Sequence, residues 1–338
     1  MKQEEAPLGG GDFEHLTPKL VLAAVEGAFG LDLTPHITPY NSYINRVFEL
    51  EYEEKSEGET GLVIKFYRPG RWSEETIMEE HTFIRDCVEM DIPTVAPLTD
   101  LDGHTLPVVE LVDEAERVQE YFFALYPKRG GRNFDAESDE HWLRLGALVG
   151  RMHVAARRRE AEHRQYCLPT PIIEQCLREL DQGEAVHPEH RQEFFEMAEE
   201  LRLRIDPLFA ELPLQRVHGD CHRGNILERP DEGLLLIDFD DMMVGPAVQD
   251  LWLLLPERAD ESHREFNLLA EGYERFLPFD YNQKKLIEPL RAMRMIYYLA
   301  WSARQRRDRR FQTEHPYWGG SAFWGKEIED LREQLEYC

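Results

Sequence analysis

The stretch RVHGDCHRGNILERPDEGLLLIDFDD, residues 216 to 241, constrains the fold of this chain more than any other. Ile226 and Leu227 open one apolar run, Pro230-Asp231-Glu232-Gly233 is a turn sequence, and Leu234 to Ile237 form a second apolar run. That spacing predicts a β-hairpin, which brings Asp220, Asn225 and Asp238 to one end. Two carboxylates and an amide oxygen converging there suit a hard cation such as Mg2+, which takes oxygen ligands and keeps waters for substrate phosphates. With Asn225 and Asp238 on the metal, Asp220 is left to orient an attacking hydroxyl. Phosphoryl transfer needs this division of labour, because positioning and charge neutralisation supply most of its catalysis. Asp, Asn and Gly are also ordinary turn residues. The joint spacing of His218, Asp220, Asn225 and Asp238 favours the chemical reading.

At 338 residues the chain is long enough for two lobes and a sizeable core. Its formal charge of −27, from 39 basic and 66 acidic residues, argues against nucleic acid or an anionic membrane as the main partner. The five cysteines (Cys87, Cys167, Cys176, Cys221 and Cys338) are odd in number and include no CxxC pair. They predict reduced thiols instead of a disulfide framework or a zinc site. No apolar run approaches the ~18 residues of a membrane span, and the N-terminus lacks a signal pattern. A cytoplasmic monomer is the expectation.

Residues 1–12 are expected to be disordered, 13–127 to form a lobe of sheet and helix that binds nucleotide, and 128–338 a mainly helical lobe. Thr17-Pro18 and Gly30 bracket a helix with apolar residues at helical spacing. Two runs, Tyr43 to Tyr52 and Leu62 to Tyr67, read as strands of a hairpin, with further strands near 105–111 and 118–126. Lys65 lies inside the second run. Residues 74–88 have helical periodicity, and Glu80 shares a face with Ile77, Ile84, Cys87 and Val88. A charged residue on an apolar face is usually paired, which selects Glu80 as the partner of Lys65, with Glu79 one position away as the alternative. Tyr126 to Gly131 reads as a hinge. Helices follow from Ser138, near 171–182, 190–212, 262–276 and 283–305, and from Ala322 to Tyr337. The stripe Trp142, Leu145, Leu148, Val149 and Met152 reads as core. Asp250 is expected to brace the loop that carries Asp220, and His218 to support it. Arg291 and Arg294 lie three apart on one helix face, where ion pairing is the ordinary role and contact with phosphate or an acidic substrate the sharper one.

The order HGDxxxxN followed by IDxxD, here His218 to Asn225 and Ile237 to Asp241, resembles the aminoglycoside phosphotransferase branch of the protein-kinase-like superfamily. Protein kinases proper carry HRDxxxxN and DFG. Asp238-Phe239-Asp240 has no glycine, so a DFG-type flip is not expected. With Asn41-Ser42-Tyr43, KFYRPGRW at 65–72, GPAVQDLW at 245–252 and IEPLRAMRMIYYLAW at 287–301 added, the chain resembles the bacterial stress response kinase A group. That resemblance implies an α+β, protein-kinase-like bilobal fold with a small antiparallel-sheet N-lobe and a mainly helical C-lobe. It implies an ATP- and Mg2+-dependent serine/threonine protein kinase acting in stress response. Asp220 would be the proton acceptor, Asn225 and Asp238 the metal ligands, and Lys65 with a helix glutamate the holders of ATP phosphates. Ser42, in a phosphate loop spanning Thr38 to Arg46, would be an autophosphorylation site. The alternatives are a kinase acting on an amino alcohol or aminoglycoside, and a nucleotide-sensing pseudokinase.

Overall fold

Strands β1 (Leu33–Pro39), β2 (Arg46–Tyr52), β3 (Leu62–Phe66), β4 (Val108–Val112) and β5 (Val118–Pro127) pair antiparallel in the order β1-β2-β3-β5-β4. This computed structural model describes residues 13, 15–42, 44–54, 61–112, 118–229 and 232–338. The expectations for residues 1–12, for Tyr43 and for the turn residues Pro230 and Asp231 lie outside those described. The chain divides into two compact units, residues 1–88 with 93–131, and residues 89–92 with 132–338.

In the first unit, period-two alternation along β3 and β5 sorts side chains onto two faces. Ile64 and Phe66 join Phe48, Leu50, Phe123 and Leu125 on one face, and helix α1 (Pro18–Phe29) covers them with Val21 and Val25. Thr17 caps α1 by accepting from Leu20 N, and Gly30 ends it at φ +64°. The other face carries Lys65, Tyr67 and Ala124, and there helix α2 (Glu74–Glu89) packs Ile77 against Tyr67 and Ala124.

β1 was not expected as a strand, because LTPHITP carries prolines at 35 and 39. It lies at the edge of the sheet, where a missing N–H breaks no ladder, and its register shifts between Leu33 and Ile37. At the far end, Lys128 N donates to Gly61 O and Leu98 N to Leu125 O, so strand-like pairing runs into the stretch read as a hinge.

The second unit is built on helices α3 (Asp139–Ala156), α4 (Pro169–Gln182), α5 (Arg191–Ile205), α6 (Gln249–Trp252), α7 (His263–Glu274), α8 (Ile287–Gln305), α9 (Arg309–Glu314) and α10 (Ser321–Glu336). The whole stripe expected on α3 is buried. At ~1.5–3 kcal/mol per fully buried large apolar side chain, Leu145, Val149 and Met152 fix which face of α3 turns inward. α3 and α7 approach closely because position 146 is glycine: a Cβ there would lie 3.0 Å from Leu269 Cα and nearer still to its carbonyl. The helix expected over 190–212 ends at Ile205, and a 3-10 turn containing Pro207 follows. α8 begins at Ile287 after another 3-10 turn, and α9 falls between the helices expected near 283–305 and from Ala322.

Two small sheets sit among these helices. β7 (Gln215–Val217) pairs with β10 (Met243–Gly245), and the hairpin of β8 (Ile226–Arg229) and β9 (Gly233–Leu236) pairs with β6 (Arg132–Asn133). No helix among the described residues is long and apolar enough to cross a membrane. No disulfide joins the five cysteines, and burial pushes the Cys167 and Cys176 thiols up to about 12, out of the nucleophilic range.

Candidate functional site

The chain leaving β7 makes a sharp turn that one buried carboxylate holds in place. Asp250, on α6 and fully buried, accepts from His218 N (2.7 Å) through Oδ2 and from Gly219 N (2.9 Å) through Oδ1. His153 Nε2 donates to the same Oδ2 at 2.9 Å, and Tyr273 OH donates to His153 Nδ1 at 3.0 Å. Gln249 Nε2 donates to Gly219 O at 2.8 Å. Gly219 itself has φ +84°, and an added Cβ would lie 3.0 Å from the Asp241 carbonyl carbon and closer to its oxygen. The backbone bearing Asp220 is therefore fixed on both sides, with the conformation supplied by glycine.

Asp220 emerges from this turn with both carboxylate oxygens near cationic or donor groups. Arg294 Nη2, from α8, is 2.8 Å from Oδ1, and His222 Nε2 is 3.4 Å from Oδ2. Gly224 N donates to His222 Nδ1 at 2.9 Å, which assigns the proton to Nε2 and aims it at Asp220. Burial alone would raise the Asp220 carboxyl. The His222 hydrogen bond and the Arg294 charge outweigh it and hold the group well below the usual carboxylate range.

The loop then closes onto the hairpin. Asn225 Nδ2 donates to Asp220 O at 3.0 Å, and Ile237 N donates to Asn225 O at 3.0 Å, so Asn225 at the start of β8 and Asp238 beyond β9 share one end of the hairpin. His218 Nε2 donates to Ile237 O at 3.0 Å, and its ring lies 4.6 Å from that of buried Phe239. Asp238 has φ +64°, a left-handed conformation that Asp and Asn adopt more readily than other side chains. Arg164, buried, donates to Asp240 O at 2.7 Å and fixes the turn that follows.

Among the described residues no group of three or more His, Cys, Asp or Glu could hold a metal by itself. Asn225 and Asp238 supply oxygen donors only, the set that a hard cation sharing its shell with phosphates and water accepts. The fixed Nδ2 of Asn225 orients its amide and leaves Oδ1 for such a ligand.

In the first unit Lys65 Nζ donates to Glu80 Oε1 at 3.1 Å, with 9% and 1% of the two side chains exposed. Of the two glutamates weighed, Glu80 is therefore the one paired with Lys65. Tyr67 OH also donates to Glu80 Oε1 at 3.3 Å, and the Lys65 ammonium lies 4.6 Å from the Tyr67 ring centroid. Between β1 and β2, Ser42 is partly buried and its carbonyl accepts from Arg46 Nη1 at 3.3 Å. Arg68 Nε donates to Ile44 O at 2.9 Å and Arg68 N to Asn45 Oδ1 at 3.1 Å, which ties this loop to the residues after β3.

Three parts of this arrangement were not read from the sequence. The His153 contact to Asp250 and the Arg294 contact to Asp220 join residues far apart in the chain, and His222 carries no spacing signal of its own. The one available signal was an arginine pair on the otherwise apolar run of α8.

The sequence model of the phosphotransferase enzyme family (APH) matches residues 36–287. Stress response kinase A of Escherichia coli (strain K12) is 35% identical over 329 residues, covering 96% of this chain and 94% of that protein. A protein of Salmonella typhimurium (strain LT2) named serine/threonine protein kinase RdoA is 36% identical over 334 residues, with 96% and 94% covered. Among solved structures, amicoumacin kinase hAmiN in complex with AMP-PNP, Ca2+ and Ami aligns with a TM-score of 0.71 at 18% identity, covering 94% of this chain and 92% of that one. Spectinomycin phosphotransferase APH(9)-Ia in complex with ADP and spectinomycin aligns with a TM-score of 0.62 at 14% identity, covering 95% and 98%. These two share the fold. The family model and the curated relatives together show that the chain is a phosphotransferase belonging to the APH phosphotransferase enzyme family, in its stress response kinase A group.

Proposed function

We propose that this phosphotransferase is an ATP- and Mg2+-dependent serine/threonine protein kinase acting in stress response. The observation that carries the reading is the Asp220 carboxylate, held ionised on a loop fixed by Asp250 and next to the oxygen donors Asn225 and Asp238. Names given to the relatives support the protein acceptor and the stress role.

In this mechanism Asp220 accepts a hydrogen bond from the acceptor hydroxyl and aims its oxygen at the γ-phosphorus of ATP. The new O–P bond forms as the bond to the β-phosphate oxygen breaks, ADP leaves, and the hydroxyl proton passes to Asp220. Asp220 aligns the hydroxyl and takes its proton late in the transfer. That suits a loose transition state in which little charge develops on the nucleophile. Asn225 and Asp238 would hold the divalent cation, which when bound offsets charge on the phosphates. Lys65, oriented by Glu80, holds nucleotide phosphate oxygens in the same scheme.

Glu80→Gln keeps the shape and the Tyr67 contact but removes the charge facing Lys65. It is expected to raise KM for ATP about tenfold, the scale of one charge-assisted hydrogen bond. Steady-state kinetics against ATP concentration read this directly, and an unchanged KM would remove Glu80 from the scheme.

The acceptor class is tested by following γ-labelled phosphate from ATP with Mg2+ into a generic protein, a panel of amino alcohols and aminoglycosides, or no added acceptor. Label on protein serine or threonine, including Ser42 of the kinase itself, supports the reading. Label only on small amines would favour a metabolite kinase, the class to which the structural neighbours named above belong.

A further inference from the structure

A pocket of about 370 Å3, linked to Asp220 through Arg294, opens between α6, α8 and α10, with Trp252, Leu255, Arg291, Arg294, Tyr298 and Glu327 in its lining. Arg291, Arg294 and Tyr298 fall at positions i, i+3 and i+7 of α8 and so share one face of the helix. Arg294 reaches Asp220 with one guanidinium nitrogen while also lining the pocket, and its side chain is 41% exposed. Arg291 donates to Glu288 Oε2 and Glu257 O at 3.1 Å each, and its guanidinium lies 5.1 Å from the Trp252 ring centroid. Each arginine presents a planar guanidinium fork that matches an oxyanion. The Tyr298 ring stacks on Trp301 at 5.5 Å and 16°, giving a flat apolar wall for an extended segment. Glu327 is the acid in the lining, and burial followed by the nearby Asp330 charge raises its carboxyl.

We propose that this pocket is an acceptor subsite that takes an oxyanion lying next to the hydroxyl that Asp220 orients, as in a peptide with an acidic side chain flanking its serine or threonine. The proposal rests on Asp220 as the residue that orients the acceptor. An oxyanion shared between Arg291 and Arg294 holds the acceptor, and it draws Arg294 toward the pocket while the substrate hydroxyl takes up the Asp220 oxygen. In a chain of formal charge −27 two arginines in one lining are a local exception, each facing one acid, Glu288 and Asp220, that an incoming oxyanion would compete with. A carboxylate and a phosphate on a neighbouring residue offer the same chemistry.

The test uses four peptides with one serine, flanked by glutamate, phosphothreonine, alanine or lysine, with wild type, Arg291→Gln and Arg291→Lys. Arg291→Gln is expected to fold, because Glu288 keeps Arg258 and Gln334 as partners. The expected result is a KM for the glutamate peptide about tenfold below that of the alanine peptide, with that advantage lost in Arg291→Gln, partly restored in Arg291→Lys, and kcat retained. A larger gain for the phosphothreonine peptide identifies phosphate as the preferred oxyanion. Equal KM values across the set, or preference for lysine, overturn the subsite while leaving phosphoryl transfer in place. Calorimetric binding of the serine-to-alanine versions decides the same question without turnover. Tighter binding of the glutamate peptide that Arg291→Gln removes supports the subsite, and its absence overturns it even if no peptide is phosphorylated.

Discussion

Asp250→Ala is expected to destabilise the chain by about 3–5 kcal/mol and to abolish phosphoryl transfer along with it. The carboxylate is fully buried and serves three donors: His218 N, Gly219 N and His153 Nε2. Removing it leaves three buried N–H groups without their acceptor, each worth about 1–3 kcal/mol of desolvation, and breaking a buried polar pair from one side typically costs about 3–5 kcal/mol. Asp250→Asn keeps one oxygen and is expected to lose less. Urea unfolding followed by circular dichroism measures both variants, and a midpoint for Asp250→Ala equal to that of wild type would show that the loop is held by something else.

Gly219→Ala is expected to inactivate through geometry. A left-handed conformation costs an alanine about 1–2 kcal/mol, and here the Cβ would also enter the Asp241 backbone carbonyl, which cannot swing away as a side chain tip would. The loop must shift, and Asp220 shifts with it. A misplacement of about 1 Å can reduce a rate about 100-fold. Gly103→Ala is the control, since φ is +87° there but nothing lies within 4 Å of the added Cβ. It should show the conformational strain alone, as a small loss of stability with transfer intact. Equal behaviour of the two variants would deny the close approach its role.

Features set by local chemistry were legible in the sequence. Thr17, Pro18 and Gly30 mark both ends of α1 because capping needs only neighbouring residues. The pairing of Lys65 with Glu80 follows from two periods, alternation along β3 and helical recurrence along α2, which face each other. The spacing of Asp220, Asn225 and Asp238 around a hairpin is likewise local. What escaped depended on context. β1 carries two prolines that only an edge position tolerates, and edge position is a property of the finished sheet. α5 stops at Ile205 although the apolar pattern runs on, because Pro207 is accommodated by a 3-10 turn. Arg294 reaches Asp220 only because α8 packs beside the loop that carries Asp220, and the Arg291–Arg294 spacing marks a shared helix face without naming that partner.

The role of Asp220 is read by single-turnover transfer from Mg2+-ATP, with wild type and Asp220→Ala compared at nucleotide concentrations that saturate both. Asp220 is partly exposed and not part of the apolar core, so the variant should fold and bind nucleotide as wild type does. Wild type is expected to move the γ-phosphate to an acceptor hydroxyl, and Asp220→Ala to do so at least ~100-fold more slowly, the lower bound for losing a positioned general base. Transfer at a near-wild-type rate by Asp220→Ala, with nucleotide bound and the fold intact, would contradict that role.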